Sequence, residues 1–278
     1  TSSTVDNVDQ FAEAMVRRGS GWAYRYGGET RPATARTVTI RFRQSDGNLG
    51  ERRFTTWRTH HGPIVAAKNG RWIATALMWR PVPALEQSWL RTKATDLASY
   101  VAVAERKANS SNDTLFADDR GEIAFLMPQF MPVRDDRFDY TRPVDGSDPA
   151  TDWQGLHPLA SLPSVTNPRV GWVHNTNDWP WSAAGPDSPK AADYPRYMDQ
   201  VGGNARGEHA DLLLTGKRGW TPERLRVAAY DPYLPAFARL LPGLVAAWGA
   251  LPANDPRRRQ LAAPIATLAR WDHCWGSD

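Results

Sequence analysis

Two asparagines set two residues apart, Asn175 and Asn177, offer carbonyl acceptors and NH₂ donors without carrying charge. They close the run Gly171-Trp172-Val173-His174 and are followed at once by Asp178-Trp179-Pro180. Read locally, the run is a buried strand that ends abruptly. An amide donor held at such an end can be aimed at an oxyanion developing during acyl transfer, and donors of this kind are often the largest single catalytic contribution. The competing local reading is an Asx turn that merely closes the strand.

Composition limits what the rest of the chain can be. With 278 residues, 41% hydrophobic and 23% charged, it can bury a core as one large domain or two ordinary ones. Thirteen tryptophans and 22 prolines point to long, irregular connections pinned by indoles rather than to a helical bundle. The net charge of +4 does not make a nucleic-acid surface, because 30 acidic residues are interleaved with the basic ones. The tight basic cluster Arg257-Arg258-Arg259 follows Asp255-Pro256 and reads as a solvated helix start. No apolar run reaches membrane-spanning length, and no signal peptide opens the chain. A single cysteine, Cys274, excludes an internal disulfide.

The elements that must position the asparagines fall into two regions. Val8, Phe11, Ala12, Met15 and Val16 are spaced as a helical stripe over 6–18. Strand patterns follow at 36–43 and 52–59 around the turn Asp46-Gly47, and at 63–67 and 71–79 around Asn69-Gly70. Two helices are expected over 84–93 and 96–108, then a hairpin joining 114–117 to 122–127. Residues 128–168 read as one long irregular segment, a length that suggests function or wrapping. From about Tyr194 the pattern turns helical, with helices over 207–214, 222–230, 233–249 and 257–271.

Several motifs occur in order along the chain. They begin with the acidic segment Val5-Asp6-Asn7-Val8-Asp9 and with Thr59-His60-His61-Gly62-Pro63. Next come Phe116-Ala117-Asp118 with Gly121-Glu122-Ile123, and Trp153-Gln154-Gly155. Leu162-Pro163 and Asn167-Pro168 lead into the asparagine segment. No single motif is specific, but in this order they resemble the penicillin-acylase-like branch of the N-terminal-nucleophile (Ntn) hydrolases; their order carries the resemblance. It implies an α+β fold, part of an Ntn-hydrolase αββα four-layer sandwich, with antiparallel strands in the first two thirds and a helical last third. Residues 1–192 would be the mixed sheet core and 193–278 a helical segment of the same fold rather than an independent domain.

The resemblance also implies a chemistry: cleavage of a linear amide to release an apolar acyl group. Relatives process penicillins, acyl-homoserine lactones, lipopeptides and glutaryl-cephalosporins. Asn177 matches the oxyanion-hole asparagine, and Ser2 falls near the position whose backbone N–H supplies the other donor. Arg206, in Gly203-Asn204-Ala205-Arg206, matches an arginine that supports the site from behind, a task suited to a guanidinium fork. Asp6, Val8 and Asp9 match a calcium site, Val8 through its carbonyl, with Asp187 or Asp193 completing it. Locally, Asp6 and Asp9 read instead as an N-cap and a first-turn acid. No organic cofactor, nucleic acid or membrane is expected.

The family's nucleophile is a Ser, Cys or Thr freed by self-cleavage, whose own α-amine is the general base. Relatives carry it several dozen residues before the acidic segment, so Thr1 is too close to Asp6 to fill that role. The expected nucleophile and the small-chain parts thus belong to a longer precursor, exported to the periplasm or outside the cell in relatives. His60 and His61 would point to opposite faces of a strand, one buried and one at the surface. His174 would neighbour Asn177. No histidine shows a zinc-like spacing. A different class remains open, a non-catalytic module in which Trp79, Trp153, Trp172, Trp179 and Trp181 form an aromatic platform, or a degenerate scaffold subunit.

Overall fold

The computed structural model describes residues 7–110, 112–198 and 202–276. Its strands are β1 (Val8–Glu13), β2 (Met15–Arg18), β3 (Gly21–Tyr26), β4 (Glu29–Pro32), β5 (Thr34–Arg43), β6 (Leu49–Arg58), β7 (Ile64–Lys68) and β8 (Arg71–Leu77). Two helices follow, α1 (Pro81–Leu90) and α2 (Leu97–Ala104), and then the short strands β9 (Thr114–Ala117), β10 (Ile123–Leu126), β11 (Val144–Asp145) and β12 (Ser164–Thr166). The remainder is helical: α3 (Ala205–Leu214), α4 (Pro222–Ala229), α5 (Pro235–Gly249), α6 (Pro256–Gln260) and α7 (Ala262–Leu268). The fold is α+β, with sheets in the first two thirds and helices in the last.

The helix expected over 6–18 is replaced by β1 and β2. Alternation on β1 buries Asp9, Phe11 and Glu13 and leaves Val8 and Gln10 outside. The helical spacing of apolar residues misleads here because two of the inward positions are carboxylates. β1 is central to a four-stranded sheet ordered β11-β1-β8-β7, antiparallel to β8 and parallel to β11. Phe11 lies opposite both Ala74 and Val144 and starts the core, which continues through Met127, Met131, Tyr140, Leu162, Tyr197 and Met198.

Residues 128–163 wrap this core, and a buried ion pair fixes them to the sheet. Arg134 donates from Nε to Asp9 Oδ2 at 2.6 Å, with side chains 1% and 3% exposed. The Trp153 indole donates to the same oxygen at 2.5 Å. The guanidinium lies over the rings of Tyr140 and Tyr197, 5.5 and 5.2 Å from their centroids. Burial, reinforced by the Asp9 charge, pushes the Tyr140 hydroxyl up to about 12. The irregular segment is thus ordered by a few polar anchors together with short pieces of backbone pairing, β11 on β1 and Pro132 opposite Leu156.

The hairpins expected around Asp46-Gly47 and Asn69-Gly70 form as β5–β6 and β7–β8. Just ahead of β7, residues 59–62 make a tight turn, closed by the Thr59 N–H donating to the Gly62 carbonyl at 3.0 Å. Gly62 has φ +156°, and a Cβ there would lie 1.9 Å from the Thr75 carbonyl oxygen. Only glycine fits that approach. The turn carries His60 and His61 to the same side, not to opposite faces: their ring centroids are 3.8 Å apart.

Candidate active site around Asn177

The asparagine segment is not a strand. The His174 N–H donates to the Ala183 carbonyl at 2.8 Å, within a run of short turns, rather than to a neighbouring strand. Trp172 and His174 are buried by this folding-back. His174 Nε2 lies 3.2 Å from Asp211 Oδ1 on α3, which ties the segment to that helix.

Of the two local readings of the asparagines, the Asx turn is formed, at Asn175. Asn175 Oδ1 accepts the Asn177 N–H at 3.0 Å, which is an Asx turn. Asn175 Nδ2 is held in turn by buried Asp113 Oδ2 at 3.2 Å, and Gln129 Nε2 donates to Asp113 Oδ1 at 2.8 Å. The turn sends Asn177 into the left-handed region at φ +59°, where asparagine is among the few tolerated residues. Asn175 is therefore the anchor and Asn177 the residue presented to solvent.

α3 supplies the second half of the site. Asn204 caps it, accepting the Arg206 and Gly207 N–H groups at 2.9 and 3.2 Å. The same side chain donates from Nδ2 to the carbonyls of Thr176 and Asn177 at 3.1 and 3.3 Å. One amide thus joins the helix start to the asparagine loop. Arg206 Nη1 donates to Asn177 Oδ1 at 3.1 Å. A guanidinium has no acceptor, so this bond fixes which arm of the Asn177 amide is oxygen. The NH₂ arm then lies on the far side, with its orientation set.

Asp178 and Gly207 complete the junction. Asp178 is 1% exposed and accepts the Thr176 N–H at 2.9 Å. A Cβ on Gly207 would lie 2.2 Å from Asp178 Oδ2. Gly207→Ala must therefore separate the loop from the helix, and it is expected to cost about 1–3 kcal/mol, the usual range for overpacking. Chemical unfolding of the variant checks this; an unchanged midpoint would mean that the contact is not tight.

Sequence reasoning placed Asn177 and Arg206, and the structure brings them together. It missed Asn204, although an asparagine directly before a helix start is a capping signal. Ser2, Asp6 and Thr1 lie outside the described residues. The rest of the expected calcium set is otherwise engaged. Asp9 Oδ2 is held by Arg134 and Trp153, and Val8 sits in the β1–β8 ladder. The Arg169 guanidinium holds the Asp187 carboxyl below its ordinary range, and Val170 N–H donates to it at 3.0 Å. Asp193 sits in a short turn, its N–H donating to the Lys190 carbonyl. Asp9 and Asp187 each face an arginine, Asp6 lies outside the described residues, and no step below uses a calcium ion.

The five tryptophans proposed as a platform serve separate places. Trp153 reaches Asp9, Trp172 stacks on His174, Trp181 packs against Tyr194, and Trp179 covers Gly203. Trp79 is 76% exposed. Among the described residues no ring contact joins any two of them.

The sequence profile described as penicillin amidase matches residues 1–278. The chain belongs to the penicillin amidase family. It is 30% identical over 291 residues to a penicillin G acylase from Escherichia coli, a match covering 98% of this chain and 31% of that protein. Among solved structures, a thermostable penicillin G acylase from Alcaligenes faecalis superposes with a TM-score of 0.72 at 23% identity. That match covers 100% of this chain and 48% of the other, and it shows the penicillin acylase fold. The chain therefore spans about a third to a half of the length of these two relatives. Family membership makes an amide-hydrolase chemistry the one to test against the Asn177 geometry.

Proposed function

We propose that this chain supplies the oxyanion donor of an Ntn-type acylase that cleaves a linear amide and releases an apolar acyl group. The observation that carries the reading is the Arg206–Asn177 bond, which fixes the orientation of the side-chain amide of Asn177, an exposed residue at the head of α3. The nucleophile is an N-terminal Ser, Cys or Thr outside these residues. Its proton passes to its own α-amine as the nucleophile attacks the amide carbon. The substrate carbonyl oxygen gains the negative charge, and Asn177 Nδ2–H donates to it together with a backbone N–H near Ser2. The α-amine then protonates the leaving nitrogen, the C–N bond breaks, and water hydrolyses the acyl-enzyme to free acid and regenerated nucleophile.

A larger assembly fits the surface as well. Val82, Leu85 and Trp89 line one side of α1, and each is at least 66% exposed. An apolar stripe of that kind is suited to cover by further chain of the same protein. The relatives' printed name suggests penicillin G as the first substrate to try. Hydrolysis by the full-length protein should vanish when its N-terminal nucleophile is blocked or replaced by alanine. Unchanged turnover in that variant would remove the Ntn mechanism and favour the scaffold reading.

A further inference from the structure

Away from Asn177, two imidazoles and a carboxylate converge on one point. His61 Nε2 lies 2.9 Å from Asp152 Oδ1, and His60 Nε2 lies 3.6 Å from Asp152 Oδ2. These ligand atoms all fall within 4.8 Å of one another. Four ligands around a tetrahedral zinc, at bond lengths of about 2.0–2.2 Å, sit about 3.3 Å apart. The observed spacings bracket that value, so closure needs side-chain shifts of about 1 Å or less.

Each of the three groups is oriented by a partner on its far side. Glu13 Oε1 lies 2.8 Å from His61 Nδ1 and also accepts the Thr59 hydroxyl at 2.6 Å. Phe11 stacks on the His61 ring at 3.8 Å and 7°. His60 Nδ1 lies 3.0 Å from the Tyr24 hydroxyl. Tyr26 donates its hydroxyl to Asp152. A histidine whose outer nitrogen meets a carboxylate while its inner nitrogen faces the ligand point is the usual outer arrangement of a metal site.

Charge and access agree with this. Glu13 is fully buried, its Oε2 has no hydrogen-bond partner among the described residues, and two carboxylates, Glu13 and Asp152, face the imidazole pair. A salt bridge needs only one imidazole, yet a second is stacked 3.8 Å from the first and turned toward the same carboxylate. A divalent cation balances both carboxylates and takes both Nε2 lone pairs. The His61 side chain is 4% exposed, whereas His60 and Asp152 are 31% and 26% exposed, which leaves an entry path and room for a water ligand.

We propose that His60, His61 and Asp152 form a site for a zinc-class divalent cation that clamps the 59–62 turn to the 148–153 loop. The donor set of two imidazoles and one carboxylate suits Zn²⁺ or Co²⁺ rather than the all-oxygen sites of Ca²⁺. The ion would hold structure at a distance in sequence from the asparagine loop, and it enters no step of amide cleavage.

The test titrates Co²⁺ and Zn²⁺ into the chelator-treated full-length protein with Ca²⁺ present throughout. One equivalent of Co²⁺ should bind with the intense visible absorption of a tetrahedral site, and Zn²⁺ should displace it. Zn²⁺ should also raise the unfolding temperature. His60→Gln and Asp152→Asn should each weaken binding by about a hundredfold or more and abolish the thermal shift. His60 is the more exposed ligand, so the glutamine variant reports even if Asp152→Asn misfolds. No stoichiometric binding, or binding and stabilisation untouched by His60→Gln, would overturn the proposal.

Discussion

Asn177→Gly in the full-length protein is expected to lower kcat for amide hydrolysis by about 10²–10³, the usual effect of removing one oxyanion donor. Glycine is the right deletion because Asn177 sits at φ +59°. Alanine there would add backbone strain to the loss of the amide, whereas glycine takes the left-handed conformation freely. Asn177→Asp should be at least as damaging. It keeps the shape and the backbone tolerance but puts a carboxylate oxygen where the NH₂ arm stood, against a developing negative charge. KM should change far less than kcat in both variants, because the donor meets charge that exists only in the transition state. A kcat within a few-fold of wild type for Asn177→Gly would show that Asn177 is only the end of a turn.

The second large effect concerns stability. Asp9→Ala removes the carboxylate that accepts from Arg134 Nε, while the guanidinium stays buried against Tyr140 and Tyr197. Breaking a buried pair from one side typically costs about 3–5 kcal/mol, a large share of a domain's net stability. It also removes the acceptor of the Trp153 indole, so the 128–163 wrap should loosen from β1. Replacing both partners with apolar residues, as in Asp9→Leu with Arg134→Met, should be less damaging than Asp9→Ala alone, since no orphaned charge remains. Denaturant unfolding of the single and double variants checks the ordering. If Asp9→Ala were neutral, the pair could not be what fixes the wrap.

Particular residues show why some of this was legible in the sequence and some not. The hairpins around Asp46-Gly47 and Asn69-Gly70 announce themselves, because turn chemistry and alternation are local. β1 is disguised as a helix because its inward face carries Asp9 and Glu13, whose partners Arg134 and His61 lie far along the chain. The same limit hid the convergence of His60 and His61 on Asp152, 91 residues beyond His61. Spacing rules for zinc detect ligands on one short segment, and this cluster joins two. Asn177 and Arg206 were found through the order of family motifs, not from periodicity. Asn204 is legible as a helix cap, but not that the same side chain holds the loop carrying Asn177, because that contact joins residues 27 and 28 positions apart.

The proposed oxyanion donor requires Arg206 to act through Asn177, and a double-mutant cycle on penicillin G turnover by the full-length protein tests that most directly. Arg206→Ala alone should lower kcat by about ten- to a hundredfold, from loss of a charge-assisted hydrogen bond that fixes the amide. In the Asn177→Gly background the same change should cost at most a few-fold, because no amide is left to orient. If removing Arg206 costs as much without Asn177 as with it, the two residues act independently and the oriented donor is not how this site works.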